Sequence, residues 1–186
     1  MRYKSYWGKN GGITVSGGEA LLQIDFVLEL FKLAKEKGVH TTLDTAGNPF
    51  IREGEFFEKF QELIKVTDLF LLDIKQIDNE AHKSLTGHTN ENILDMATYL
   101  SEQNKDMWIR YVLVPGHTDS EEHIEKLHDF IETLHSVKRV EVLPYHTLGV
   151  FKWVQLGIPY TLEGVNQPSK ESVEKANQIL ETDKYI

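Results

Sequence analysis

Apolar residues along the chain follow two alternating rhythms. Five short runs are rich in aliphatic and β-branched residues: ITVS at 13–16, VHTTLD at 39–44, LFLLDIK at 69–75, MWIRYVLV at 107–114 and RVEVLP at 139–144. Runs of that length, bounded by polar clusters, predict buried strands. The intervals between them carry the 3.6-residue period of amphipathic helices. Val27, Leu30, Phe31 and Ala34 form one stripe, closed by Gly38 as a C-cap, and Phe56, Phe60, Leu63 and Ile64 form a second. Ile93, Met96, Ala97 and Leu100 form a third, entered through Thr89 and Asn90. Ile124, Leu127, Ile131 and Leu134 form a fourth, with Asp119 or Ser120 as its N-cap, and a last helix opens at Pro168-Ser169 with Val173, Ala176 and Leu180. One strand-plus-helix unit separates each strand from the next, which predicts an α/β fold with a parallel sheet and right-handed crossovers. Residues 1–186 read as a single domain, either a doubly wound sheet or an arc of a β/α barrel. A closed eight-unit barrel takes about 250 residues, more than the 186 present. The stretch TLGVFKWVQLGIPYTLEGVNQ, between the last strand and the last helix, reads as a long aromatic loop over a site.

Composition narrows the partners. The net charge of −9, from 29 acids against 20 bases, disfavours non-specific binding to nucleic acid or an anionic membrane surface. No apolar run reaches membrane-spanning length, and MRYKSYWGKN lacks a signal-peptide core. A cytoplasmic protein is expected. The chain has no cysteine, which removes disulfides, thiolate nucleophiles and cysteine-held metal clusters from these residues.

The candidate chemistry sits where polar residues interrupt buried strands. ITVSGGEALLQ places Gly17 and Gly18 at a strand's carboxyl end, where backbone groups lie open to a ligand. Asp73 and Lys75 share one face of the third strand with Leu71, and Arg110 and Val112 share a face of the fourth. Asp44 closes the second strand, and Tyr145 and His146 follow Pro144 after the fifth. A charge left unpaired in a core costs several kcal/mol, so these groups are expected to meet one another, a ligand or an ion. Each has a plainer reading. Ser16 and Glu19 match a capping box, Asp44 suits a turn, Asp73 and Lys75 suit an ion pair with each other or with Arg110, and His146 suits packing. His123, His128 and His135 lie on an acidic amphipathic helix without metal-ligand spacing and read as a solvated face. What favours a site is convergence of several strands on one rim.

In order along the chain, VSGGEALLQ, LDTAG, LLDIKQ, WIRYVLVPG and VLPYHTLG resemble the pyruvate formate-lyase activating enzymes, a radical S-adenosylmethionine (SAM) family. The likeness runs from about Trp7 nearly to the C-terminus and includes Lys152-Trp153 and the stretch from Tyr160 to Val165. The resemblance implies a partial, TIM-like (β/α) barrel, of which this chain supplies five parallel strands of a six-strand arc. It implies that Gly17, Gly18 and Glu19 hold the amino group of SAM, and that Asp73, Ile74, Lys75 and His146 line the SAM site. Arg110 and Val112 fall at pocket positions. Asp44, Thr45, Leu71 and Asp73 correspond to positions around a monovalent cation.

The same resemblance implies a [4Fe-4S] cluster held by a C-x3-C-x2-C loop, an electron donor such as flavodoxin, and a glycyl radical enzyme, pyruvate formate-lyase, as protein substrate. The cysteine loop and the family's first strand have no counterpart here, so the chain reads as a truncated core, with no catalytic residue of its own and no radical activity alone. Two other readings stand beside it. One is a cluster-free β/α lyase or isomerase, with Lys75 or His146 as base and a divalent metal on Asp44 and Asp73. The other is a non-catalytic binding module, self-associating through an exposed ITVS edge.

Overall fold

The computed structural model describes residues 11–185, so Trp7 lies outside the described residues. Twelve regular elements follow one another: β1 (Gly12–Val15), α1 (Ile24–Glu36), β2 (His40–Thr45), α2 (Gly54–Lys65), β3 (Leu69–Asp73), α3 (Asn79–Thr86), α4 (Glu91–Glu102), β4 (Met107–Leu113), α5 (Glu121–Glu132), β5 (Val137–Pro144), α6 (Val150–Leu156) and α7 (Lys170–Ile179). Short 3-10 turns occupy Ala20–Gln23 and Thr182–Tyr185. All four strand pairs are parallel, and spatial order equals chain order, β1-β2-β3-β4-β5. A doubly wound sheet would reverse direction at some point; this one does not, so it is an arc of a barrel.

Burial separates the two faces. Leu43, Phe70, Leu72, Ile109 and Tyr111 are fully buried on one side, packed with Val27, Phe31, Phe60, Leu63, Met96, Leu127 and Ile131 from the helices. Fully burying a side chain of this size is worth about 1.5–3 kcal/mol, and this layer is what holds the strands in register. Asp44, Leu71, Asp73, Arg110 and Val112, on the other side, are only half-buried. β1 lies close against β2 at Gly12, where a Cβ would stand 2.0 Å from the His40 carbonyl oxygen, so only glycine fits.

Local structure departs from the sequence reading in four places. α3, a polar segment whose sole buried residue is His82, has too little apolar periodicity to be read from sequence. The aromatic stretch after β5 contains α6, which buries none of its residues. Ser120 stands at the N-cap of α5 without a side-chain cap bond, while Asp119 accepts from Gly116 N at 2.8 Å. Leu134 lies beyond the end of α5 yet is buried. Among the described residues no helix is long and apolar enough to cross a membrane.

At the amino end of the sheet, Asp68 ties three elements together. Both its oxygens take Lys35 Nζ at 2.8 Å, and Oδ2 also accepts from Thr41 N at 2.8 Å and Thr41 Oγ1 at 3.1 Å. Burial by itself would raise the Asp68 pKa; the Lys35 ammonium and the Thr41 groups outweigh it and hold the carboxyl below its ordinary value. A folded-state pKa below the unfolded value contributes stability above about pH 4, which is lost as pH falls through the depressed value. Asp68→Asn is therefore expected to lower the melting temperature at pH 7, with the gap to wild type narrowing below about pH 4. Thermal denaturation across that range checks this, and a gap that stays constant into acid contradicts it.

Candidate functional site

Along β3 and just beyond it, residues alternate strictly. Leu69, Leu71, Asp73 and Lys75 are half-buried, while Phe70, Leu72, Ile74 and Gln76 are buried. The register sets Asp44 beside Leu71, and Asp73 beside Arg110. Four charged side chains thus meet on the open face. Asp73 Oδ1 accepts from Arg110 Nε at 2.8 Å, and Asp73 Oδ2 accepts from Lys75 Nζ at 2.9 Å. Arg110 Nη2 also donates to Asp44 Oδ1. The side chains of Arg110, Asp44 and Asp73 are 18–20% exposed and that of Lys75 is 39% exposed, so the first three form the desolvated centre and Lys75 the wet end. Two acids and two bases balance, as a part-buried charge cluster requires.

The turn after β1 closes the same rim. Gly17 and Gly18 are exposed, and a Cβ built on either meets nothing within 4 Å. Their backbone groups are open to an approaching ligand. Glu19 behaves differently from the capping-box reading. It is itself the N-cap of the following 3-10 turn, accepting from Leu21 N at 3.0 Å. The same carboxylate accepts from Thr45 Oγ1 at 2.5 Å and from Ala46 N at 2.9 Å, and Thr45 Oγ1 in turn accepts from Gly47 N at 2.9 Å. Glu19 is a strap from the β1 turn to the end of β2. The local S-x-x-E pattern carried no sign of this bond, because its partner lies across the sheet.

The remaining candidates fall in distinct places. Ile74 is fully buried on the helix side, so only its backbone can reach a ligand on the open face. Thr45 also points into the protein, leaving Asp44, Leu71 and Asp73 as the cation candidates with side chains on the open face. Between Asp44 and Asp73 stands the Arg110 guanidinium. Val112 is half-buried on the Arg110 face, opposite Leu143. His146 is exposed just past β5. Its neighbour Tyr145 is buried, and its hydroxyl bonds that of Tyr160 at 2.6 Å. Desolvation, with that bond adding to it, pushes Tyr160 up to about 12. A cavity of about 560 Å³ beside β5 is lined by Trp108, Arg139, Glu141, Asn177 and Tyr185, with none of the four charged residues in its wall.

Of the three histidines read onto one solvated helix, His123 and His128 lie on α5, while His135 falls past its end and bonds Ser101 Oγ at 3.2 Å. His128 and Glu132 are one turn apart on α5 and meet Glu181, with ligand atoms all within 4.8 Å of one another. Lys184 Nζ lies 2.6 and 2.7 Å from the two Glu132 oxygens and 3.8 Å from Glu181 Oε2, so an ammonium already pairs with both acids of the group.

Sequential parallel strands, helices on one face and polar groups converging at the carboxyl ends on the other define a partial β/α barrel of the enzyme type. A model of the radical SAM superfamily matches residues 2–131. The pyruvate formate-lyase-activating enzyme of Streptococcus mutans is 54% identical over 185 residues, which is 100% of this chain and 70% of that protein. That of Listeria monocytogenes is 54% identical over 186 residues, 100% of this chain and 75% of that protein. A crystal structure of a domain of pyruvate-formate lyase-activating enzyme from Bacteroides vulgatus matches with TM-score 0.73 at 26% identity, covering 91% of this chain and 92% of that one. A radical SAM methyltransferase from Sphaerobacter thermophilus shares the fold, with TM-score 0.67 at 18% identity over 97% of this chain and 50% of that one. The chain belongs to the radical SAM superfamily and, within it, to the pyruvate formate-lyase-activating enzymes.

Members of that superfamily use SAM and a [4Fe-4S] cluster. A cluster needs thiolate ligands, and these 186 residues contain no cysteine, so the residues present do not fit it. SAM fits better. Its ammonium suits the open backbone at Gly17 and Gly18, and its carboxylate suits the exposed end of Lys75.

Removing the strap tests the local geometry. Glu19→Ala leaves Thr45 Oγ1 and the Ala46 and Leu21 amides without their acceptor, at an expected cost of about 2 kcal/mol. Arg110→Leu leaves two carboxylates facing each other, and the loss should stay below the ~3–5 kcal/mol of a fully buried pair, because both acids keep some solvent contact. Denaturant titration checks both; wild-type stability in either variant would contradict the contacts described.

Proposed function

We propose that this chain forms the SAM-binding face of an activating enzyme whose protein substrate is a glycyl radical enzyme, pyruvate formate-lyase. The observation that carries the reading is the rim itself: open glycine backbone at one side, Asp73 and Arg110 in register at the centre, and Lys75 bonded to Asp73 at the exposed end. In this reading the carbonyls of Gly17 and Gly18 accept from the ligand's ammonium, and Lys75 takes its carboxylate. Glu19 holds the glycine turn at the right height rather than touching the ligand. Ile74 contributes backbone only, Val112 an apolar wall, and His146 a polar group at the rim that reaches the ligand's sugar or base edge.

The SAM carboxylate would take Lys75 from Asp73, which keeps Arg110 as its partner, while the ligand's ammonium and sulfonium add positive charge to the rim. A monovalent cation at Asp44 and Asp73, with backbone oxygens of Thr45 and Leu71, requires the Arg110 guanidinium to swing out. Arg110 is then free to face the protein substrate. When a cluster is bound in a member of this family it supplies the electron that cleaves SAM. These 186 residues, lacking thiolates, are proposed to bind SAM without cleaving it. An electron donor such as flavodoxin therefore has no acceptor on this chain by itself, and cytoplasmic placement accompanies the reading. The outer edge of β1 is unpaired among the described residues, and two copies pairing along it would account for self-association.

Isothermal titration with SAM should give saturable binding that Lys75→Ala weakens about tenfold, ~1.4 kcal/mol. Absence of binding by wild type, or wild-type affinity in Lys75→Ala, overturns the site assignment. Anaerobic iron–sulfide reconstitution should leave no stoichiometric iron, and SAM cleavage by the 186 residues would sink the second half of the proposal. A clean monomer at high concentration by sedimentation would count against pairing along β1.

A further inference from the structure

The position of the Lys75 ammonium is set by the backbone that carries it. Its one described side-chain bond is to Asp73, and the chain leaves the sheet almost at once. β3 ends at Asp73, and Ile74 N continues the ladder with a single bond to Arg110 O at 3.1 Å. The face alternation runs on to Gln76, which is 0% exposed.

A fully buried amide must find partners for both its oxygen and its NH2 group. Gln76 finds them within its own turn and across the rim. Its Oε1 accepts from Ile77 N at 2.8 Å and Asp78 N at 3.2 Å, and its Nε2 donates to His117 O, between β4 and α5, at 3.3 Å. Asn90, 2% exposed, meets the same turn from the opposite side. Its Nδ2 donates to Gln76 O at 3.1 Å and to Ile77 O at 2.6 Å, while its own backbone N donates to Asn79 Oδ1 at 3.0 Å.

The position of Asn90 makes this use unusual. It stands at the N-cap of α4, where an asparagine side chain ordinarily accepts from the helix's first amides, yet it makes no such cap bond. Its amide serves the turn after Lys75 instead. Two buried amides therefore close one chain reversal from both sides, and nearly every polar group they bring into the interior is matched.

We propose that Gln76 and Asn90 are positioning residues for Lys75. They fix the reversal after β3 so that the ammonium stands beside Asp73 on the open face, with its rotamer and backbone entropy already lost before any ligand arrives. The functional consequence, tighter hold on a ligand carboxylate, rests on the SAM reading of the rim.

The experiment uses the 186-residue protein with its lysines reductively dimethylated with 13C, which keeps their charge. The Lys75 signal is identified by its absence in Lys75→Arg. Asn90→Asp preserves shape but removes both amide donors, and Gln76→Ala removes the other half of the turn. Thr98→Val, which deletes a hydroxyl bond to Leu94 O inside α4, controls for general loss of stability. In folded Asn90→Asp and Gln76→Ala the Lys75 signal should move to the position of a solvated dimethyl-lysine, and SAM affinity should fall about tenfold, ~1.4 kcal/mol. Thr98→Val should leave both within about twofold. Should Asn90→Asp fail to fold, Asn90→Ser, which keeps one donor, should give a smaller shift in the same direction. An unmoved Lys75 signal in the folded variants overturns the proposal. A wild type that binds no SAM, with variants that still move the Lys75 signal, overturns the reading of the rim and upholds the positioning.

Discussion

Period-two alternation along β3 and β4, matched to β2 by parallel register, is the constraint on which this site depends. Because paired residues share a face, Asp44, Leu71, Asp73 and Arg110 have no freedom to be elsewhere once Leu43, Leu72 and Ile109 are buried under the helices. A slip of one residue would bury the charges and expose the core. The apolar layer therefore positions the polar one, and the site inherits its precision from packing that never touches it.

The two ends of the sheet divide the work. At the amino end, Asp68 anchors α1, β2 and β3 through saturated contacts with Lys35 and Thr41. At the carboxyl end, the chain leaves each strand through turns whose backbone is partly open, at Gly17 and Gly18 above all. Glu19 joins two of these turns to each other rather than to the core. The rim is thus a set of braced turns on a rigid base.

Much of the fold was legible in the sequence because burial on the helix side leaves short aliphatic runs, and five such runs became five strands. The long helices were legible for the same reason: Val27, Phe31 and Ala34, or Ile93, Met96 and Leu100, recur on one face. α3 and α6 escaped because neither buries an apolar stripe. At the site, the sequence identified the charged residues and offered Lys75 and Arg110 as partners of Asp73, both of which the structure shows, but it did not offer the Arg110 bond to Asp44. Whether Arg110 bridges Asp44 and Asp73 depends on strand order, and that is a long-range property. For Glu19, the capping-box pattern was the plainer of two readings, and it could not show the bonds to Thr45 and Ala46 because those partners lie across the sheet. Gln76 was the residue with an available signal, since the alternation of LFLLDIKQ puts it on the buried face.

The balanced charges of Asp44, Asp73, Lys75 and Arg110 have a further consequence. The rim carries its own counter-ions, so in the proposed reading a charged ligand would trade partners there instead of arriving at a bare field. The four balanced charges add little long-range pull of their own, so any steering comes from the chain's net charge of −9 and is screened by salt. In the proposed reading, discrimination then falls to shape and to the spacing between ammonium and carboxylate, so that the rim would act as a ruler for its ligand more than as a magnet.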